Sequence, residues 1–471
     1  MENWGLSLWQ LLALVQHELL LFAGVFFLIG ALDDLAIDVS WLWLKLTSRA
    51  RTPELNRTAL QHRELDGPAA IFIPAWQEAE VIGDTIEHIL SSWPQSQLRL
   101  YIGCYRNDPA TIEAAKCGSL GDHRLRIVVH DQEGPTTKAD CLNRLYEALR
   151  SDERRGNFRF ASIVFHDAED MVDPAALGLL SVAIHDGADF VQIPVEPMVQ
   201  ANSRFCGSHY CEEFAESHGK AMVVRDAFGA GLPGAGVGCA ISRQAAGWLA
   251  NRAFRPEQPF ATDSLTEDYE LGLNVAAAGG TCRFIRARGA EDGRLIATRA
   301  YFPSNLSTVT RQKTRWIHGI ALQGWDRVGW NGNLVETWMR ARDRRGPITA
   351  LVLLIGYALI VLAGIIWLLA ELGLAPQIVL SPVLEVLLIA NFVAFIWRAI
   401  WRFAFTASIY GMGEGLFSIV RIPLANVISI IAGRRAVTAY ARTLMGRAIE
   451  WDKTSHSLHP ASDGRPKVTM V

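Results

Sequence analysis

The stretch Ile163-Val164-Phe165-His166-Asp167-Ala168-Glu169-Asp170 decides the fold. An apolar strand runs straight into three carboxylates. Around it, from about Gly67 to Met339, short apolar runs alternate with helical periodicity. Ala69–Ile73 reads as a strand ended by Pro74, and Val81–Leu90 as a helix. Leu98–Cys104 and Arg126–Val129 read as strands, Lys138–Leu149 as a helix, and Ala161–Phe165 and Phe190–Ile193 as further strands. Alternating β and α units predict a mostly parallel sheet covered on both faces. Ligands of such sheets sit at the carboxyl ends of the strands, which is where the carboxylates of this chain fall.

Composition narrows the function. The 471 residues are 50% hydrophobic and include 15 Trp, which excludes low-complexity disorder, collagen-like repeats and small disulfide scaffolds. The length suggests about three domains or layers. Lys and Arg number 45 against 48 acids, so a nucleic-acid protein built on a large basic field is excluded. Seven Cys lie between Cys104 and Cys282 without a repeating spacing, which favours a reduced setting.

The apolar residues are concentrated at the two ends of the chain. Ile348–Ala370 carries no charge and is long enough to span a bilayer. Val383–Trp401 is a second candidate, and Leu11–Leu32 a third. The third lacks a basic leader and a cleavage site, so it reads as a retained anchor. It is expected to continue as an interfacial stretch, Asp33–Leu44, with Trp41 and Trp43 at headgroup level. Met412–Gly433 reads either as an interfacial amphipathic helix or as a re-entrant pair. Residues 1–44 and 347–397 hold no Lys or Arg, whereas Lys45, Arg49, Arg51, Arg340, Arg342, Arg344 and Arg345 flank them. The positive-inside rule then puts the middle region and the C-terminal tail in the cytoplasm.

Four constellations carry chemistry. Asp167, Glu169 and Asp170 at a strand end suit Mg²⁺ or Mn²⁺ on a diphosphate, or are a solvated acidic turn. Thr266-Glu267-Asp268 offers a general base, or is a helix start capped by Thr266 or Asp263. Gln312, Arg315 and Trp316 share one helical face, where Arg pairs with phosphate and Trp forms a platform for a sugar ring. The same segment also reads as an anchor helix ahead of a span. Gly134-Pro135-Thr136-Thr137-Lys138 delivers a lysine to a helix start, where anions bind, though an exposed helix lysine reads the same way. Cys206, His209, Cys211 and His218 do not match zinc spacing and read as ordinary helix-face residues. Leu232–Gly238 is glycine-rich without a Rossmann context.

The order of these motifs resembles the family 2 glycosyltransferases of GT-A fold, particularly membrane-embedded polysaccharide synthases. The matching residues are Pro74-Ala75-Trp76-Gln77-Glu78, Arg106-Asn107-Asp108, Lys138-Ala139 with Leu142-Asn143, Asp167-Ala168-Glu169, Thr266-Glu267-Asp268 and Gln312 with Arg315-Trp316. They cover about residues 67–330. The strings His166-Asp167-Ala168-Glu169-Asp170, Gln192-Ile193-Pro194, His218-Gly219-Lys220, Arg311-Gln312-Lys313-Thr314-Arg315-Trp316 and Trp451-Asp452-Lys453 are similar to the bacteriophage N4 adsorption protein B family of bacterial inner-membrane glycosyltransferases. Longer members of that family carry a C-terminal domain implicated in cyclic di-GMP sensing, which is expected to be absent here. Three positions depart from the pattern. Glu169 stands where Asp is usual, so Asp170 competes as a ligand. Gln77 replaces Asn. The uracil-contacting Asp pair is not reproduced, and Asp108 is the nearest residue to it.

The resemblance implies an α/β GT-A domain at 67–340. An anchor at 1–46 and a linker at 47–66 precede it, membrane helices at 341–433 follow, and 434–471 form a cytoplasmic tail. It implies Asp268, with Glu267, as the catalytic base. Pro74, Glu78, Asp108, Lys138, Asp167 and Arg315 would bind a nucleotide-sugar donor, expected to be UDP-linked. Gln312 and Trp316 would bind the acceptor, and Asp167 and Glu169 a Mg²⁺ or Mn²⁺ ion. Loop 232–238 would approach the acceptor closely. The implied activity is inverting sugar transfer to a surface or secreted polysaccharide at the bacterial inner membrane, with an outer-membrane export partner and no nucleic acid. Two alternatives stand beside it: single-sugar transfer to a lipid-phosphate carrier, and a non-catalytic part of an export or phage-adsorption assembly.

The charge asymmetry generates a topology test. In a background without the native cysteines, Ser7→Cys and Gln377→Cys should react with an impermeant thiol reagent on intact spheroplasts. Ser151→Cys should react only after lysis, and its labelling on intact cells would reverse the orientation.

Overall fold

The computed structural model describes residues 8–252, 257–330, 332–374, 376 and 379–446. Residues 1–7, part of the 371–382 loop and the tail from 447 lie outside the described residues. Eleven strands are present among them: β1 Glu54–Leu55, β2 Ala69–Pro74, β3 Leu98–Tyr105, β4 Leu125–His130, β5 Ser162–Phe165, β6 Phe190–Gln192, β7 Val195–Pro197, β8 Cys239–Ser242, β9 Cys282–Phe284, β10 Arg288–Gly289 and β11 Thr298–Ala300.

Seven of them form the central sheet, in the order β4-β3-β2-β5-β8-β6-β9. β2 is the apolar run Ala69–Ile73 closed by Pro74, with both faces buried, as parallel strands under helices require. Ile71 and Ile73 enter one core with Trp93, while Ala70 and Phe72 enter the other with Leu145 and Phe165, following the two-residue period of a strand. β2 runs parallel to β3 and β5, with Ala69 opposite Ser162. The carboxyl ends of these strands therefore open on one side. β8 is antiparallel to both β5 and β6, so the sheet is mixed rather than all parallel. β7 and β11 form a separate parallel pair beside it.

Residues 47–66 are not a free linker. β1 pairs with β10, helix Arg57–His62 follows, and Arg57 pairs with the buried Asp173. A buried carboxylate that needs a cation holds the segment to the domain.

The N-terminal helix is continuous from Leu8 to Leu46, with no break at Asp33. Its last turns carry acids that are paired rather than solvated. Asp33 and Asp34 each meet Arg342 and Arg345. Asp38 meets Lys220 and accepts a hydrogen bond from Trp397 Nε1 at 2.8 Å. Trp41 is docked: its Nε1 donates to the Gly219 carbonyl at 2.9 Å and its ring packs edge-on against Trp401.

Among the described residues, three helices are long and apolar enough to cross a membrane: Trp9–Leu46, Gly346–Glu371 and Pro382–Tyr410. Helices Met412–Val420 and Ile422–Leu444 form a pair bent by 52°, which counts as a fourth span if taken as one. The second helix of the pair runs ten residues and more into what composition assigned to the tail. It lies so close to Gly346–Glu371 that a Cβ on Gly433 would fall 2.3 Å from the Ala350 Cβ, a small-residue contact typical of membrane helices.

Lys220 tests the docking. Lys220→Met strands the fully buried Asp38, and breaking such a pair costs about 3–5 kcal/mol. Thermal unfolding of the chain in detergent should show that loss, with part of it recovered by adding Asp38→Asn.

Candidate active site

The strand end β5 forms the floor of the site. Asp170 turns back beneath it: its carboxylate accepts from the Asp167 backbone N–H at 3.0 Å and pairs with His166 Nδ1 at 2.9 Å. Both side chains are buried, so Asp170 shapes the turn. Asp167 remains one-third exposed at 34%, and with Glu169 it lines an open cleft. Lys138 begins helix Lys138–Gly156, where Thr137 and Asp140 form a capping box. Its ammonium pairs with Asp167. Burial alone would lower the Lys138 pKa, but the charges of Asp167, Glu267 and Asp268 outweigh it and hold the pKa above the ordinary lysine value.

Glu267 and Asp268 open helix Glu267–Ala277 on the same cleft. Thr266 precedes this helix but makes no side-chain cap bond, and Asp263 pairs with Arg327 instead. The expected cap is therefore absent. The helix is braced elsewhere, by Arg327 on the buried Glu270 at 2.6 Å and by Tyr269 Oη on Asp343 at 2.8 Å. Burial pushes the Asp268 carboxyl up, against the pull of Lys138 and Arg315. Burial, followed by the Asp268 charge, pushes Glu267 up to about 7. A helix N-terminus favours carboxylates, but here desolvation outweighs that preference. The glycine-rich loop is the wall behind Asp268. Gly236 has φ +79°, and a Cβ there would sit 2.6 Å from Asp268 Oδ2.

Helix Leu306–Trp316 supplies the opposite wall. Asn305 caps it by accepting from the Thr308 N–H at 3.0 Å. Gln312, Arg315 and Trp316 all face the cleft, and a π-helical turn, Ile317–Gln323, follows. Arg315 forms no hydrogen bond or ion pair with a described residue. Phe214, Tyr301 and Phe302 complete this end.

Two expected donor residues lie elsewhere. Glu78 and Asp108 are buried and do not line the cleft. Asp108 caps helix Pro109–Ser119 and accepts from the Gln77 backbone N–H at 2.6 Å, so it ties two loops together. Pro74 lines a small cavity that adjoins the cleft through Lys138 and Asp268. Trp76, two residues on, stands edge-on to Tyr105 and against Gly134, whose backbone is bridged by Asn107. His209, Cys211 and His218 bond to backbone partners, and among the described residues no three metal-ligating side chains cluster.

The sequence profile described as "Glycosyltransferase like family 2" matches residues 67–319. The chain belongs to this family. Bacteriophage adsorption protein B of Escherichia coli (strain K12) is 34% identical over 459 residues, which is 92% of this chain and 61% of that protein. Bacteriophage N4 adsorption protein B of Escherichia coli O157:H7 matches equally. The chain thus spans about three-fifths of the length of these curated relatives. The mannosyltransferase PcManGT from Pyrobaculum calidifontis, solved with GDP-Man and Mn²⁺, superposes at a TM-score of 0.55 and 13% identity, covering 90% of this chain and 99% of that one. At that identity the likeness is one of fold. The chain is a GT-A glycosyltransferase domain with flanking helices long and apolar enough to span a membrane.

Sequence reasoning missed Phe214, Tyr301 and Phe302. The only signal was the apolar pair around β11, which reads as core until β7 is known to lie beside it.

The two neighbouring aspartates separate in a stability test. Asp170→Ala leaves two buried donors unpaired, at about 1–3 kcal/mol each. Thermal unfolding should fall further for Asp170→Ala than for Asp167→Ala; the reverse order would exchange their roles.

Proposed function

We propose that this transferase is an inverting, metal-dependent enzyme of the bacterial inner membrane with its cleft on the cytoplasmic side. It moves a sugar from a nucleotide-sugar, taken to be a UDP-sugar, onto a growing surface or secreted polysaccharide. The observation that carries this reading is the convergence of Asp167, Glu169, Lys138, Asp268, Arg315 and Trp316 on one cleft.

The donor set fits a divalent ion. Asp167 and Glu169 offer hard oxygen ligands, and two carboxylates leave positions for diphosphate oxygens and water, as Mg²⁺ sites usually do. Held by Asp167 and Glu169, a Mg²⁺ or Mn²⁺ ion would supply charge neutralisation on a diphosphate. Asp268 accepts the proton of the acceptor hydroxyl, which attacks the anomeric carbon from the face opposite the diphosphate. Lys138 and Arg315 offset the charge on the departing diphosphate. Trp316 and its aromatic neighbours hold the acceptor ring.

The names of the relatives are consistent with a product or complex that a bacteriophage meets; an outer-membrane export partner is part of the proposal. The names also keep a second reading alive, a non-catalytic component of that assembly. A lipid-phosphate acceptor differs from both, because its product would hold one sugar and partition into solvent.

The deciding experiment presents purified membranes with a panel of nucleotide-sugars and reads nucleotide release and product length. Asp268→Asn should lower transfer by ~10²–10⁴ while donor binding persists, since losing a positioned base costs that much. Equal release by wild type and Asp268→Asn would remove Asp268 from the mechanism. Burial raises the Asp268 carboxyl above its ordinary value, so protonation silences the base at low pH and transfer should keep rising with pH beyond the ordinary carboxylate range. A rate that fell as pH rose through that interval would exclude a carboxylate base.

A further inference from the structure

Helix His209–Glu216 stands between the membrane helices and the helix that carries Trp316. Its Glu212 side chain is fully buried, and so is that of Arg421. Arg421 donates to both Glu212 oxygens, from Nε at 3.1 Å and from Nη2 at 2.9 Å. Its Nη1 donates to Glu414 and to the Arg204 carbonyl, each at 2.9 Å. Arg402 also meets Glu212 at 2.8 Å, and Arg204 also meets Glu414 at 2.9 Å. Two carboxylates therefore face three guanidinium groups. Without Arg421, each acid would still keep one arginine. Charge balance does not call for Arg421, but its planar fork ties both acids and a carbonyl into one rigid joint. Arg421 also sits at the bend between Met412–Val420 and Ile422–Leu444.

The same short helix grips the acceptor end of the cleft. Tyr210 Oη donates to Gln312 Oε1 at 2.5 Å, and its ring meets Trp316 edge-on at 6.0 Å. Glu213 pairs with Lys313, whose ammonium lies 4.8 Å from the Trp316 ring and 4.9 Å from the Tyr210 ring. Leu424 and Ile428 of the bent pair pack into this aromatic cluster.

We propose that Arg421 is a positioning residue for acceptor binding: by locking Glu212 to the bend of the membrane pair, it sets the orientation of Gln312 and Trp316 through Tyr210 and Glu213. The meaning of "acceptor end" rests on the transferase reading above; the geometry does not. A merely structural Arg421 would change stability and scale all kinetic constants together, whereas a positioning residue acts on the acceptor alone.

The test uses the full chain in lipid nanodiscs, labelled with 5-fluorotryptophan. The Trp316 resonance is the one lost in Trp316→Phe. Arg421→Met should shift or broaden it, and so should Tyr210→Phe, which removes a single hydroxyl and keeps the test open if the first variant does not fold. An unmoved Trp316 resonance overturns the proposal. A second arm measures nucleotide release with the best donor among UDP-, GDP- and ADP-sugars and with the wild-type oligosaccharide product as acceptor. In Arg421→Met the acceptor KM should rise about tenfold or more at constant donor KM, as small misplacements of a bound group do, and Arg421→Lys should recover part of it. A donor KM that rises in step also overturns the proposal. If wild type releases no nucleotide from any donor while the Trp316 resonance moves, the transferase reading fails and the positioning role stands.

Discussion

Three aspartates near the end of the first helix need cations, and that need fixes where the cleft lies. Asp33, Asp34 and Asp38 find Arg342, Arg345, Arg398 and Lys220. Two of these arginines precede helix Gly346–Glu371, one lies inside Pro382–Tyr410, and the lysine belongs to the catalytic domain. One set of pairs therefore gathers all three apolar helices and the sheet around a single joint. Buried ion pairs contribute little net stability, but breaking one is costly, so they specify an arrangement more than they strengthen it. The cleft is held against the membrane helices as a result.

Within the cleft the charges are graded by burial. Lys138 stays protonated among acids, while Glu267 and Asp268 resist ionisation because their surroundings are poorly solvated. A carboxylate of this kind holds its proton more readily than a surface carboxylate, as the base role proposed above requires. Asp167, two residues past the end of β5 and open to the cleft, pairs with Lys138 and remains within reach of a cation. The difference between Asp167 and Asp170 is one of direction, since the β5 strand end turns one carboxylate out and folds the other under His166.

That difference marks how far the sequence could be read. Strands β2, β3 and β5 were legible because parallel strands buried on both faces are near-continuous apolar runs, and the acids after β5 stood in plain view. The face shared by Gln312, Arg315 and Trp316 was legible from helical spacing alone. What escaped depends on partners distant in the chain. Asp33 looked like the end of a span because Arg342 and Arg345 are some three hundred residues away. Residues 54–62 looked like a linker because β10 and Asp173 lie far downstream. Asp108 looked like a donor contact, yet its oxygens serve the Gln77 loop and a helix cap. The antiparallel course of β8 left no mark in its composition.

The first helix has a further consequence. Leu8–Leu32, the part before the paired acids, measures about 37 Å at 1.5 Å per residue, against a hydrocarbon thickness of ~30 Å. Its far end is bolted, so it cannot slide to match a thinner or thicker bilayer. Mismatch has to be taken up by leaning, and leaning turns about the Asp33–Asp34 joint. A bilayer of different thickness would then load the neighbouring helices through the same joint.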